Sequence, residues 1–429
     1  MAKFITQAIN DEILEKLNLE NRYNFLNTCV KPIISSGEMD FLKQVEDFCL
    51  NYEKTKNITH GPDEDIYDWV SDFGKEGYIS RAHKFGMLDL NYDPHGLTAE
   101  LMRALGLCFF DPQLLMMFGA TILAINPLEA HHDNVPVRLG ALRDVVTGNS
   151  PGCILITEPE RGSDATHQLT TCEEQPDGSF LLNGDKIFNT NAPKSKWAVA
   201  YATAEKNVGS KMAQFLIDTS WSGWNCERVY IPWAPKLYLG SEKLDNLRVP
   251  KEYVLGGIGK GRDHLFEGLV VERMMIATQN ICECFNSLAH LTIYSNMRKQ
   301  FDKPIIQFQG VGLTLAELYA RAQTLFYGLL KFCKDYDALA EKHGGEHSIP
   351  SGISRSLVSI ASCFKYTCAD LSKTICYEAA NLMGGAGLSD NTLMHDLLNI
   401  SRIQEIVGGS RQIQLYIIAN ALSSIFKTL

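Results

Sequence analysis

Apolar positions change their rhythm twice along the chain. Up to about residue 150 the spacing is mainly helical. Ala99–Phe110 and Pro112–Ile125 are apolar on several faces, which predicts helices with little exposed surface. Residues 1–36 are more polar and read as an N-terminal extension packed on a helical domain over 37–150. Pro127, Asp133-Asn134 and Pro136 punctuate the end of that domain. Over 151–260 the period shortens. Ser179–Leu182 and Lys186–Thr190 flank Asn183-Gly184, a pair that tolerates positive φ, so a two-residue hairpin is predicted there. Trp197–Thr203, Met212–Ile217 and Cys226–Ile231 follow as short strands. Over 261–429 the helical period returns in Asp263–Gln300, Val311–Lys342, Ile353–Met383 and Gln412–Phe426, which predict an antiparallel bundle. The fold class expected is multidomain α+β: an N-terminal helical domain, a central antiparallel β-barrel-like domain and a C-terminal four-helix bundle. No internal repeat or low-complexity segment interrupts this order.

Composition narrows the function. The chain has 429 residues, 45% of them apolar and 21% charged, which is ordinary globular usage. A net charge of −10 leaves no basic surplus to displace counterions, so nucleic acid is not an expected partner. No 18-residue apolar run occurs, so no membrane span is expected. The first residues lack the apolar core of a secretory signal and carry Asp11, Glu12, Glu15 and Glu20, unlike a mitochondrial transit peptide. Twelve cysteines, mostly in apolar surroundings and without a CxxC pair, read as reduced core thiols. The expected location is cytoplasmic.

The β region opens with Ile154-Leu155-Ile156-Thr157-Glu158-Pro159-Glu160-Arg161-Gly162-Ser163-Asp164. An apolar strand here runs into a turn rich in hydroxyls and acids. Such a turn presents donors to a polar ligand, or simply bonds its own backbone. As a whole string it resembles the TEPxxGSD signature of the acyl-CoA dehydrogenase family. The resemblance continues through Asn183–Asn191 (NGxKxWITN), Asn246–Pro250 (VRVP), Arg298–Ile305 with Phe308-Gln309 (RKQFGKPI…FQ), Asn381–Gly385 (QxxGG) and Gly408–Ile413 (EGTxxI). It covers roughly residues 37–428.

This resemblance implies FAD between the β domain and the bundle. Ile156, Thr157, Ser163, Phe188 and Thr190 would surround the isoalloxazine, with Thr190 near its N5. Arg298, Phe301 and Gln309 would reach the adenine and pyrophosphate of a neighbouring protomer's FAD, joined by Asn381 and Gly385. Ser410 and Gln412 would lie beside the flavin phosphates and ring. A guanidinium fork suits a pyrophosphate, and Gly408-Gly409-Ser410 precedes a helix N-terminus. The implied partners are an acyl thioester, an electron-transfer flavoprotein as acceptor, and further copies of the chain in a dimer or tetramer.

Removing a proton α to a thioester requires a carboxylate in a dry pocket and donors on the thioester oxygen. Many members of the family place that Glu where this chain has Gly408. Leu269-Val270-Val271-Glu272-Arg273 resembles the LxxER segment of the isovaleryl-CoA and long-chain acyl-CoA dehydrogenases, which carry the base on this helix. The catalytic set implied is therefore Glu272, with Arg273 fixing its position and charge, and Gly408, whose N–H could donate to the thioester oxygen. The alternative for Glu272 and Arg273 is a solvated charge pair, but both interrupt an apolar run, which predicts partial burial and a raised carboxyl pKa. Ser163, Val270 and Arg273 are the candidate substrate-binding residues. Val270 stands where many members have an Asp that bonds the pantetheine arm, which leaves open a carrier-protein thioester or a CoA arm held differently. Asn381 replaces a Gln, and Asn189 an apolar residue.

Other readings carry less. His131-His132-Asp133 looks like a metal cluster, but adjacent histidines do not share a helix face and no matching ligands follow. Glu405 is an alternative base if its loop is displaced. A flavin monooxygenase or oxidase of the same fold, and a catalytically silent scaffold, remain as alternatives to the dehydrogenase.

Overall fold

The computed structural model describes residues 9–61 and 63–426. Seven helices come first: α1 (Asp11–Lys16), α2 (Leu19–Val30), α3 (Ser36–Lys56), α4 (Val70–Lys75), α5 (Leu97–Phe110), α6 (Pro112–Ala130) and α7 (Pro136–Val146). Their starts are written locally. Ser35 and Glu38 form a reciprocal cap on α3. Asp111 accepts from the N–H groups of Gln113 and Leu114 ahead of α6, where Pro112 fills a position that needs no donor. α6 runs through Pro127 to Ala130. Proline has no N–H, so the Leu123 carbonyl one turn earlier loses its helical donor there. By length and composition α6 could cross a membrane, yet two-thirds of its most apolar window is buried in the core.

Eight strands follow: β1 (Gly152–Leu155), β2 (Thr171–Glu174), β3 (Phe180–Thr190), β4 (Trp197–Thr203), β5 (Met212–Asp218), β6 (Trp224–Val229), β7 (Leu239–Val249) and β8 (Val254–Leu255). The sheet order is β6-β7-β3-β2-β4-β5-β8, with β1 also on β4. Two expectations are corrected here. The sheet is mixed, because β1 and β2 pair with β4 in parallel while its other pairings are antiparallel. Asn183-Gly184 makes no hairpin; β3 runs straight through it and pairs with β7. The register shifts between Leu182 and Gly184, so the pair forms a bulge. Gly184 sits at φ +154 against Thr170, where a β-carbon would overlap the Thr170 side chain. The tight turn lies earlier, at Asp177-Gly178 between β2 and β3.

The last third contains α8 (Gly261–Glu267), α9 (Leu269–Met297), a two-stranded ribbon of β9 (Lys299–Gln300) and β10 (Lys303–Pro304), then α10 (Gln309–His343), α11 (Ser351–Met383), α12 (Met394–Gln404) and α13 (Arg411–Phe426). The single helix expected from Asp263 is broken at Gly268, where a β-carbon would meet the end of the Asn126 side chain. The short α12 has no counterpart among the four helices predicted. One contiguous core joins α2, α3, α5 and α6 to α9, α10 and α11, with α9 at its centre. The sheet has its own core of Leu182, Ala198, Ala200, Phe215 and Leu247. All twelve cysteines are free thiols, and ten of them are buried.

Candidate active site

α9 places Glu272 in its first turn, beside the loop that links α12 to α13. That loop turns at Gly408 and Gly409, both at positive φ. A β-carbon built on Gly408 would lie 3.2 Å from Glu272 Oε1 and would overlap Ile276 Cδ1, one turn further along α9. Glycine takes this crossing without strain, whereas another residue would have to hold φ +62 and move the Ile276 methyl. Gln414 donates to the carbonyls of Gly408 (3.1 Å) and Gly409 (2.9 Å). Lys365 Nζ, buried on α11, donates to Gly409 O (2.8 Å) and Glu405 O (3.3 Å). The loop's carbonyls are thus drawn away from Glu272, and the Gly408 N–H has no acceptor among the described residues.

Burial pushes the Glu272 carboxyl above the ordinary carboxylate range, and the charges of Arg273 and Lys365 only partly oppose this. Burial lowers the Lys365 ammonium to about 8 against the pull of Glu272 and Glu405. Arg273 does not pair with Glu272. Its side chain turns to α11, where Nη1 meets Val358 O at 3.4 Å and Nε has no partner. Successive helical residues diverge by about 100°, so a carboxylate aimed at the α12–α13 loop leaves its neighbour facing another helix. Val270 is 1% exposed in the core and does not line the cavity described below. Glu405 is held by Lys373 (2.9 Å) and Arg402, which keep its carboxyl low against the effect of burial.

Glu272 borders a small open-mouthed cavity walled by Leu123, Pro127, Ile154, Ile156, Tyr201 and Leu265. His131, His264, Glu267 and His347 ring the rest of it. The rings of His131 and His264 stack at 3.8 Å, and His131 Nε2 lies 3.1 Å from Glu267. The partners of His131 thus come from α8 rather than from its neighbours, since His132 accepts from the Asn134 N–H and Asp133 binds Arg138.

The turn after β1 is fastened to β3. Lys186, fully buried, reaches Ile156 O (3.2 Å), Glu158 Oε1 (3.0 Å) and Gln168. Glu158 also accepts from the N–H groups of Leu169 (2.7 Å) and Thr170 (2.8 Å). Burial lowers the Lys186 ammonium to about 8, against the attraction of Glu158. The Ile187 N–H donates to Thr157 O (3.0 Å), so half-buried Thr157 is tied beside the Phe188–Thr190 segment. Phe188 stands 53% exposed at φ +62, an uncommon conformation for an aromatic residue. Asn191 anchors the strand end through Met117 O, Thr121 Oγ1 and Gly152 O. Asn189 is buried and donates to Glu242 Oε2 on β7 (2.6 Å); burial raises that carboxyl to about 7. Ser163 is exposed on the turn.

The remaining predicted residues lie on the outside of the bundle. Arg298, Phe301 and Gln309 cluster at the α9–α10 connection, with Phe301 88% exposed and packed edge-on to Phe308. Asn381 and Gly385 are exposed at the end of α11, and Ser410 and Gln412 stand at the start of α13. Lys186, Lys365, Tyr201 and the cavity histidines were not anticipated as site residues. Lys365 had one usable signal, a lone cation inside the apolar run Cys363-Phe364-Lys365-Tyr366.

Residues 153–235 match the family profile "Acyl-CoA dehydrogenase, middle domain", and residues 259–423 match "Acyl-CoA dehydrogenase, C-terminal domain", together more than half the chain. The short-chain-specific acyl-CoA dehydrogenase of Megasphaera elsdenii is 25% identical over 90% of this chain and 97% of its own. The mitochondrial isovaleryl-CoA dehydrogenase of Oryza sativa subsp. japonica is 26% identical over 84% of this chain and 83% of its own. The solved butyryl-CoA dehydrogenase of Megasphaera elsdenii has the same fold, with a TM-score of 0.79 at 22% identity over 91% of this chain and 98% of that one.

Proposed function

The chain belongs to the acyl-CoA dehydrogenase family, and on that footing we propose that it oxidises an acyl thioester to the trans-2-enoyl thioester, with Glu272 removing the α proton. The observation that carries this reading is the crossing of Glu272 and Gly408. A carboxylate raised by burial borders a cavity, and the residue opposite has no side chain to block it. A base with a raised pKa binds the abstracted proton more firmly, which matches it better to a weakly acidic C–H. The Gly408 N–H is the donor proposed for the thioester oxygen, where negative charge develops as the α proton leaves.

The β-domain wall fits FAD. Phe188 offers an exposed aromatic ring, and Thr157 and Thr190, both half-buried, are its neighbours across the Ile187 N–H to Thr157 O bond and along β3. FAD bound there would supply the acceptor for the hydride leaving the β carbon. Ile156 and Ser163 would border it, with Ser410 and Gln412 approaching from the bundle. Arg298, Phe301, Gln309, Asn381 and Gly385 are exposed, as groups serving a second protomer's FAD would be. Leu415, Tyr416 and Leu422 on α13 also stand exposed. This apolar surface supports a homo-oligomer.

Two finer points belong to the same reading. Val270 supplies no polar contact to a pantetheine arm, which keeps a carrier-protein thioester beside acyl-CoA as substrate. Electron-transfer flavoprotein is the proposed acceptor.

An anaerobic titration with a panel of acyl-CoA and acyl-carrier thioesters tests the proposal. Bleaching of the flavin band by a thioester, lost in Glu272→Gln, is the expected result. Equal bleaching by Glu272→Gln would remove the base assignment. Bleaching by NADH alone, with oxygen uptake on re-aeration, would favour a monooxygenase.

A further inference from the structure

We propose that His83, Glu129, Glu346 and His347 bind one divalent transition-metal ion of zinc's class, which pins the α10–α11 connection to the end of α6. Their four ligand atoms lie within 4.8 Å of one another. His83 comes from the segment after α4 and is 1% exposed; Glu129, in the last turn of α6, is 8% exposed. Glu346 and His347 are consecutive in the α10–α11 connection.

Two buried atoms of this cluster, Glu129 Oε2 and His83 Nε2, have no hydrogen-bond partner, and a cation would satisfy the first of them. His83 Nδ1 faces two carboxylates, with Glu129 Oε2 at 2.7 Å and Glu346 Oε1 closer still. One imidazole nitrogen carries at most one hydrogen. Glu346 takes that hydrogen bond, and Glu129 Oε2, fully buried, is left with none. His347 Nε2 stands 3.6 Å from Glu346 Oε1 and 3.9 Å from Glu129 Oε2, outside hydrogen-bonding range but facing the same point. Two carboxylates crowded in a dry place repel one another. A divalent ion neutralises both and has coordination directions for all four ligands. Two imidazole nitrogens with two carboxylate oxygens suit zinc, whereas calcium and magnesium favour oxygen-only shells.

The neighbouring group of His131, His264 and Glu267 is the competing location. It is more open, and Glu267 Oε2 already has a hydrogen bond from His131. His347 also lines the cavity beside Glu272, so the bound ion would fix one of the cavity's walls without touching the reacting atoms.

The test uses the full-length flavoprotein and reads metal, not turnover, so it stands or falls separately from the dehydrogenase reading. Chelator-treated protein is titrated with zinc chloride by calorimetry, and metal content is measured after gel filtration. The expected result is one zinc per chain, with affinity lowered about 100-fold or more in Glu129→Gln and in His347→Ala. Zinc should raise the Tm of wild type, as any ligand of the native state does, but not that of His347→Ala. His264→Ala should bind as wild type does. If Glu129→Gln does not fold, His347→Ala alone decides, because His347 is on a surface connection. Wild type that takes up no zinc would overturn the proposal. So would uptake that survives in His347→Ala, or that is lost in His264→Ala.

Discussion

Glu272 Oε1 lies 3.2 Å from the point where a β-carbon on Gly408 would sit, so the carboxylate rests closer to this backbone than a residue with a side chain would comfortably allow. A side chain at 408 must push Ile276 aside, shift the acid by a few tenths of an ångström and accept φ +62, a left-handed backbone that costs an L residue about 1–2 kcal/mol. Gly408→Ala is expected to slow substrate-driven flavin reduction at least about tenfold, measured by anaerobic stopped flow. Adding Ile276→Ala should recover part of the loss by relieving the overlap.

Glu272→Gln should slow the same half-reaction about a thousandfold or more, the scale of losing a general base. Flavin content should be unchanged. In wild type the rate should rise with pH and level off, because the base works only when deprotonated. The midpoint should lie above the ordinary carboxylate range, since burial raises this group.

Lys365→Met should move that midpoint further upward. It removes a positive charge that favours the ionised form of Glu272 and frees the carbonyls of Glu405 and Gly409. Lys365→Arg should restore part of the original pH profile. A purely structural role for Lys365 would alter Tm and leave the midpoint in place.

Lys186→Met leaves Glu158 buried without its cation, a defect worth about 3–5 kcal/mol. It also removes the Lys186 bonds to Ile156 O and Gln168, which flank the turn that carries Thr157. The expected outcome is a lower Tm together with purification largely free of flavin, read from the ratio of flavin to protein absorbance.

Glu283, buried in α9 and accepting from Ser372 Oγ at 2.6 Å, is raised to about 8 by burial. The unfolded chain ionises this group at the ordinary value of 4.5. Between those two values the folded form holds a proton that the unfolded form has lost, so this group makes stability fall as pH rises. Glu283→Gln should flatten the decline of Tm between pH 5 and 8, measured by calorimetry.

The alternation of strand and helix was legible because it depends on local spacing. The isolated acid in the apolar run Leu269–Ala277 signalled its own burial. Contacts between distant elements were less legible. Arg273 follows Glu272 directly, yet its partner is a carbonyl on α11, fixed by how two helices are rotated against each other. Asn183-Gly184 advertises positive φ, and a bulge uses that freedom as readily as a turn does; the choice was made by the pairing of β3 with β7. His131 was grouped with its chain neighbours His132 and Asp133, because His264 and Glu267 reach it only in the folded chain.

Pro127 carries a consequence of its own. It removes the donor for the Leu123 carbonyl in a stretch of α6 where Leu123 and Pro127 both border the cavity. One helical hydrogen bond is thereby missing from the main chain beside the cavity, a gap indifferent to pH and to most side-chain replacement at position 123.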